Sequence, residues 1–249
     1  MDEISLTFAG DFEFPFTLVK GTGQSPFVFG RANEWGERKL QDISIGDFYI
    51  SRFQVTQDLW TRVTGNGAAE NRGGEIPVDW VSYTDVVAPG GFLDKLNSHP
   101  AANKARTDVA LAPSAKFRLP SETEWEYAGR GGAFWRDELK YSGSDDLDEV
   151  GWYEANSGKI SHPVGQKRPN QLGLFDMSGN LWEWCEDYFH RDTGRVPKDG
   201  KPCLEESPTR VLRGGCHHNW AMHCTPTWRY EIEADAKDEC IGFRLALSA

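Results

Sequence analysis

The sequence predicts an α+β fold: loop-rich, with small antiparallel sheets and two or three helices in its first half. Three observations carry that expectation. Glycine (26) and proline (13) punctuate all 249 residues without a period, which suits neither a helical bundle nor a low-complexity chain. Apolar runs are short and mostly alternate with strand period. One segment carries a complete helix-start signature, and nothing after it resembles a long helix.

Taken in order, Phe16-Thr17-Leu18-Val19-Lys20 before Gly21-Thr22-Gly23 reads as a strand and turn, and Phe27-Val28-Phe29-Gly30 as a second short strand. Phe48 to Val55 alternates as a strand, after which Thr56 caps a helix from Gln57 to about Val63. Pro77 to Ser82 leads into a helical pattern that Pro89-Gly90-Gly91 breaks and Phe92 to Asn97 resumes. In Phe117 to Ala128, Ser121 and Glu124 form a capping box, hydroxyl and carboxylate each satisfying an early amide; Gly131-Gly132 ends that helix. No linker or repeat divides the chain, so residues 1–249 read as a single domain.

The composition excludes several function classes. Lys+Arg 27 against Asp+Glu 38 gives a net charge of −11. Such a chain repels phosphate backbones, which argues against nucleic-acid and anionic-membrane partners. No stretch approaches the roughly 20 apolar residues of a membrane span. The start, Met1-Asp2-Glu3-Ile4-Ser5, shows no basic region followed by an apolar run. The cysteines, Cys185, Cys203, Cys216, Cys224 and Cys240, are odd in number and confined to the last third. Both features lead to the expectation of a cytoplasmic protein with reduced thiols. Ten tryptophans fit a loop-rich domain pinned by large rings, or a surface built for contact.

Several blocks then resemble the formylglycine-generating-enzyme-like (sulfatase-modifying-factor) domain. They are Phe117 to Gly132, with its Arg-Leu-Pro start and Glu-Trp-Glu-Tyr-Ala centre, and His162 to Gly165 followed by Leu172 to Trp184. Arg210 to Gly215 and Ile241 to Ala246 complete the set in the family's order. The resemblance implies a C-type-lectin-like fold; the Pro89-Gly90-Gly91 break is a departure, since relatives usually carry one continuous helix there. It implies a structural calcium site at Asp176, Gly179, Leu181 and Glu183, whose carboxylates and backbone carbonyls would suit a hard cation. Without an ion, Asp176 would cap its turn and Glu183 would pair with an arginine. Trp182 would reach the floor of the family's active pocket. Arg213 and Arg244 read as structural forks holding carbonyls or carboxylates.

The family's enzymes bind copper(I) through two cysteines after a glycine pair, soft ligands for a soft ion. Counting from Gly214-Gly215, the second falls on Cys224 but the first on Asn219, and Cys216 stands where the family has serine. The missing thiolate argues against copper and against catalysis of that type. Iron-dependent sulfoxide synthases share the domain but draw histidines from an added helical domain, for which 249 residues leave no room. Cys216, His217, His218, His223 and Cys224 could still hold zinc or copper.

The candidate ligand-binding segment is 216–240, between the framework blocks. It comprises Cys216, His217, His218, Asn219, Trp220, Met222, His223, Trp228, Tyr230, Glu231, Ile232, Glu233, Ala236, Asp238, Glu239 and Cys240. Aromatics mixed with adaptable polar groups resemble a binding surface more than a core. The placement also resembles the variable proteins of diversity-generating retroelements, in which the stretch before a terminal Gly-Phe-Arg-Leu-Ala is rewritten. The expected function is therefore non-catalytic display of a binding surface for a protein or small-molecule ligand. A copper- or iron-dependent oxidoreductase is the alternative, and drifted loop residues packing against the core are the plainest reading.

Overall fold

The computed structural model describes residues 3–30, 41–67 and 72–248. Strands β1 (Glu3–Phe8) and β2 (Phe12–Val19) form a hairpin, turned by Gly10 and Asp11, both at positive φ. Ile4, Leu6 and Phe8 alternate inward with strand period. Short strands β3 (Phe27–Phe29) and β4 (Gln41–Ile43) pair as a ribbon, and β5 (Phe48–Ser51) joins β2.

Helix α1 (Gln57–Thr64) starts at Thr56, whose hydroxyl accepts the Leu59 amide, as expected. Next come α2 (Tyr83–Val87) and α3 (Phe92–Ser98). The Pro89-Gly90-Gly91 break does separate them: Gly90 has φ +77, and a side chain at Gly91 would meet the Asp85 carbonyl at 2.7 Å. Helix α4 (Pro100–Asp108) was not expected. It begins with Pro100 in its first turn, where a missing N–H costs nothing, and His99 Nδ1 accepts the Ala101 amide. After β6 (Phe117–Arg118), helix α5 (Glu122–Gly129) shows both halves of the expected capping box. Among the described residues, five short helices begin in the first half of the chain rather than two or three.

The second half holds α6 (Leu147–Val150), then β7 (Trp182–Tyr188), β8 (Arg210–Arg213), β9 (Arg229–Ile232), β10 (Ile241–Gly242) and β11 (Ala246–Ser248). One sheet is antiparallel throughout, in the order β1-β2-β5-β11-β6, so the final strand sits between two early ones. A second runs β10-β7-β8-β9; β10 pairs parallel with β7 and the other pairs are antiparallel. Small curled sheets, short helices and long loops make this a C-type-lectin-like α+β fold. The parallel pairing of β10 with β7 matters most for function, because it brings Ile241 beside Trp182 and folds the 216–240 segment back over β7.

Candidate binding pocket and its buried frame

Under the pocket lies a frame of buried charge. Glu183, on β7, accepts Arg244 Nε at 2.6 Å and a second Arg244 nitrogen at 2.7 Å. It also accepts Trp125 Nε1 at 2.5 Å and Gln54 Nε2 at 3.0 Å. Arg244 spends its remaining donors on the Ser51 and Phe175 carbonyls. Arg213 reaches Glu126 and the Trp228 carbonyl, while Arg229 forks onto both oxygens of Glu122 at 2.5 and 2.6 Å. Buried charges persist only when paired and hydrogen-bonded in this way. Arg213 and Arg244 are structural, as the sequence implied.

On this frame sits a cavity of about 280 Å³, lined by Trp182, Cys216, His218, Asn219, His223, Trp228, Tyr230, Ile232, Asp238, Cys240 and Ile241. The backbone enters through Gly214 and Gly215, both at positive φ; a side chain at Gly215 would meet Cys224 Sγ at 2.7 Å and the His223 carbonyl at 2.9 Å. Asn219 then holds the turn, its Oδ1 accepting the Cys216 amide at 2.9 Å. Two ring pairs wall the cavity. Trp182 stacks on Tyr230 with centroids 5.2 Å apart, and Trp228 meets His223 edge-on at 4.6 Å.

The other segment residues lie elsewhere. His217 is buried, its Nδ1–H donating to the Asn180 carbonyl at 2.9 Å; burial pushes its pKa down to about 4, so the ring is neutral near pH 7. Trp220 and Met222 project outward, 66% and 51% exposed. Glu231, Glu233 and Glu239 are exposed and Ala236 is half-buried. Glu231 accepts the Thr209 hydroxyl, and Glu239 faces His218 at 3.6 Å. Trp182 lines the cavity. Ile241 was missed because it belongs to a framework block and carries no polar signal.

The sulfur chemistry departs from expectation. Cys216 and Cys240 form a disulfide across 24 positions, with Cα atoms 5.6 Å apart. The expectation of uniformly reduced thiols is therefore corrected, and cysteine usage no longer argues for a cytoplasmic protein. Cys185, Cys203 and Cys224 are free and buried. Cys224 packs with Tyr141, Leu147 and Val150, and burial pushes its thiol up to about 12, so it is protonated near pH 7. Among the described residues the donor group that converges is Cys216, His217 and Cys240, within 4.8 Å of one another, rather than one containing His223 or Cys224. Its sulfurs are bonded to each other, so neither is a thiolate ligand.

At two of the implied calcium positions, Glu183 and Leu181, protein donors hold the oxygens. Four N–H donors fill the four lone-pair sites of Glu183, and Gln54 donates to the Leu181 carbonyl at 2.9 Å. Asp176 Oδ2 accepts the Gly165 amide, and its buried Oδ1 has no partner. One free carboxylate oxygen beside a guanidinium does not fit a cation that takes six to eight oxygens. Glu183 pairs with Arg244, as the sequence allowed without an ion, whereas Asp176 holds the Gly165 amide of a separate loop rather than capping its own turn.

Comparison with known proteins accords with this architecture. Residues 10–249 match the family described as sulfatase-modifying factor enzyme 1-like domain. The chain is 32% identical over 210 residues to a protein described as chaperone protein LppX from Paenibacillus barcinonensis, covering 70% of this chain and 71% of that one. It is 33% identical over 174 residues to the formylglycine-generating enzyme of Streptomyces coelicolor, covering 61% of this chain and spanning only 54% of the enzyme. Among solved structures, Treponema denticola variable protein 1 superposes with a TM-score of 0.83 at 28% identity, over 99% of both chains. PvdO from Pseudomonas aeruginosa shares the fold, with a TM-score of 0.72 at 21% identity over 94% of both chains. With nearly its whole length inside that match, the chain belongs to the sulfatase-modifying factor enzyme 1-like domain family.

Proposed function

We propose that this chain is a non-catalytic ligand-binding protein whose site is the 216–240 segment together with Trp182, displayed on a rigid C-type-lectin-like frame. One observation carries the reading. The cavity is walled mainly by that segment, while the charges holding the fold, Glu183, Arg213 and Arg244, are fully buried beneath it and line none of it. The buried ion pairs that hold the fold are thus separate from the lining, although Trp182 and the Cys216–Cys240 link serve both. Such a division lets a binding surface change while the fold persists. The whole-length likeness to a protein described as variable supports the same reading, and we extend it to rewriting of residues 216–240.

The chemistry gives the oxidoreductase alternative no matching support. Asn219 offers an amide where that reading needs a thiolate, Cys216 is tied to Cys240, and Cys224 is a buried thiol. Sequencing the locus through a population of source cells tests the proposal. Substitutions should concentrate at pocket-lining and outward-facing positions of 216–240 and spare the frame. Stoichiometric copper(I) binding together with oxygen uptake on a cysteine-containing peptide would overturn it.

A further inference from the structure

We infer that the pocket takes an alkylammonium group, either a methylated ammonium head group or a lysine side chain; this rests on the binding-protein reading above and names the ligand chemistry of that site. The walls are aromatic: the Trp182–Tyr230 stack on one side and Trp228 with His223 on another. Ring faces attract cations through their quadrupoles, tryptophan most strongly. Asp238, itself solvent-exposed, lines the same cavity. Its Oδ1 accepts the Cys240 amide at 2.8 Å, and no ion pair to it is formed among the described residues.

The lining holds no lysine or arginine among the described residues. The segment's two cations are both committed, Arg229 to Glu122 inside the frame and Lys237 to Asp85 at 2.7 Å. Exposed Glu239 stands 3.6 Å from the lining residue His218. The lining's one carboxylate, Asp238, repels an anion, and no lysine or arginine offsets it, although His218, Asn219 and His223 also line the space. A neutral apolar group fills the space but desolvates Asp238 without compensation. A cation on a short apolar stem satisfies rings and carboxylate together. The volume of about 280 Å³ is at the small end for ligand sites, suiting a head group or one side chain rather than a large whole ligand.

The test uses the full chain, with intrinsic tryptophan fluorescence and calorimetry as readouts. The probes are choline, its neutral isostere 3,3-dimethylbutan-1-ol, and Nα-acetyl-lysine methylamide. At least one of the two cations should bind saturably, and the isostere about tenfold more weakly or worse. D238N keeps the oxygen that accepts the Cys240 amide, so it should fold as the parent does while losing about tenfold in cation affinity. Which cation binds more tightly identifies the source of the group. The inference is overturned if neither cation binds, if the isostere binds as well as choline, or if D238N leaves affinity unchanged. Should any of these occur while substitutions in the population still concentrate at 216–240, the ammonium assignment alone fails and the binding-protein reading stands.

Discussion

Glu183 and Arg244 face each other as a two-pronged ion pair, 2.6 and 2.7 Å apart, with both side chains fully buried. Every donor Arg244 uses and every lone pair of Glu183 has a partner, so the two act as one unit. Removing either leaves the other charged and unpaired in the core. R244M should therefore destabilise the fold by about 3–5 kcal/mol, and E183Q by a comparable amount. The double variant should cost less than the sum of the two. Urea unfolding of the four proteins gives the coupling; strictly additive losses would mean that the pair is not a unit.

The disulfide gives a direct chemical test. In denaturant without reductant, iodoacetamide should label only Cys185, Cys203 and Cys224, because Cys216 and Cys240 are joined; after reduction all five should react. The link closes a loop over a sequence separation of 24, which chain-entropy arithmetic values at roughly 3–4 kcal/mol. C216S/C240S should lose stability of that order while remaining folded. Labelling of all five cysteines before reduction would remove the link.

The division between frame and surface predicts opposite outcomes for neighbouring tryptophans. Trp220 is 66% exposed, and W220A should move stability by no more than about 0.5 kcal/mol. Trp182 is 5% exposed beneath Tyr230, and W182A should cost about 3–5 kcal/mol. Trp228 is half-buried and should fall between them. Equal losses for all three would place the segment in the core and undercut its role in display.

Much of this was legible in the residues, for reasons that differ by element. Thr56 and the Ser121–Glu124 box announce α1 and α5 because capping is a local hydrogen-bond code. Helix α4 was illegible because its buried face is Ala101, Ala102 and Ala105, small residues that give a weak apolar period. The pocket segment stood out by composition between framework blocks. Its sulfur link did not, because Cys216 and Cys240 are brought together only by the parallel pairing of β10 with β7, a long-range event with no local signature. At Glu183 the sequence shows a carboxylate but not which protein donors reach it.

Asp176 supplies a titration test of the same region. Burial raises its pKa from 3.8 to about 6, opposed by the Gly165 amide and by Arg244. A carboxyl group whose folded pKa lies above its unfolded value stabilises the fold while protonated. That contribution is complete below pH ~4 and is lost as pH rises through ~6. Across so wide a shift it amounts to roughly 3 kcal/mol at most. D176N is neutral at every pH, keeps an oxygen to accept the Gly165 amide, and places asparagine, which tolerates positive φ, where Asp176 has φ +57. The stability of D176N relative to the parent should therefore climb between pH 4 and 6 and level off above. Comparing only the difference between the two proteins cancels the opposite trend of His217, whose lowered pKa makes the fold lose stability as pH falls from 6.5 towards 4. The same pair of proteins probes the ion. With both oxygens of Glu183 saturated, adding calcium or a chelator should leave the parent's unfolding curve at pH 8 unchanged. A calcium-dependent rise that D176N abolishes would show that an ion displaces Gln54 or Arg244 from the carboxylate.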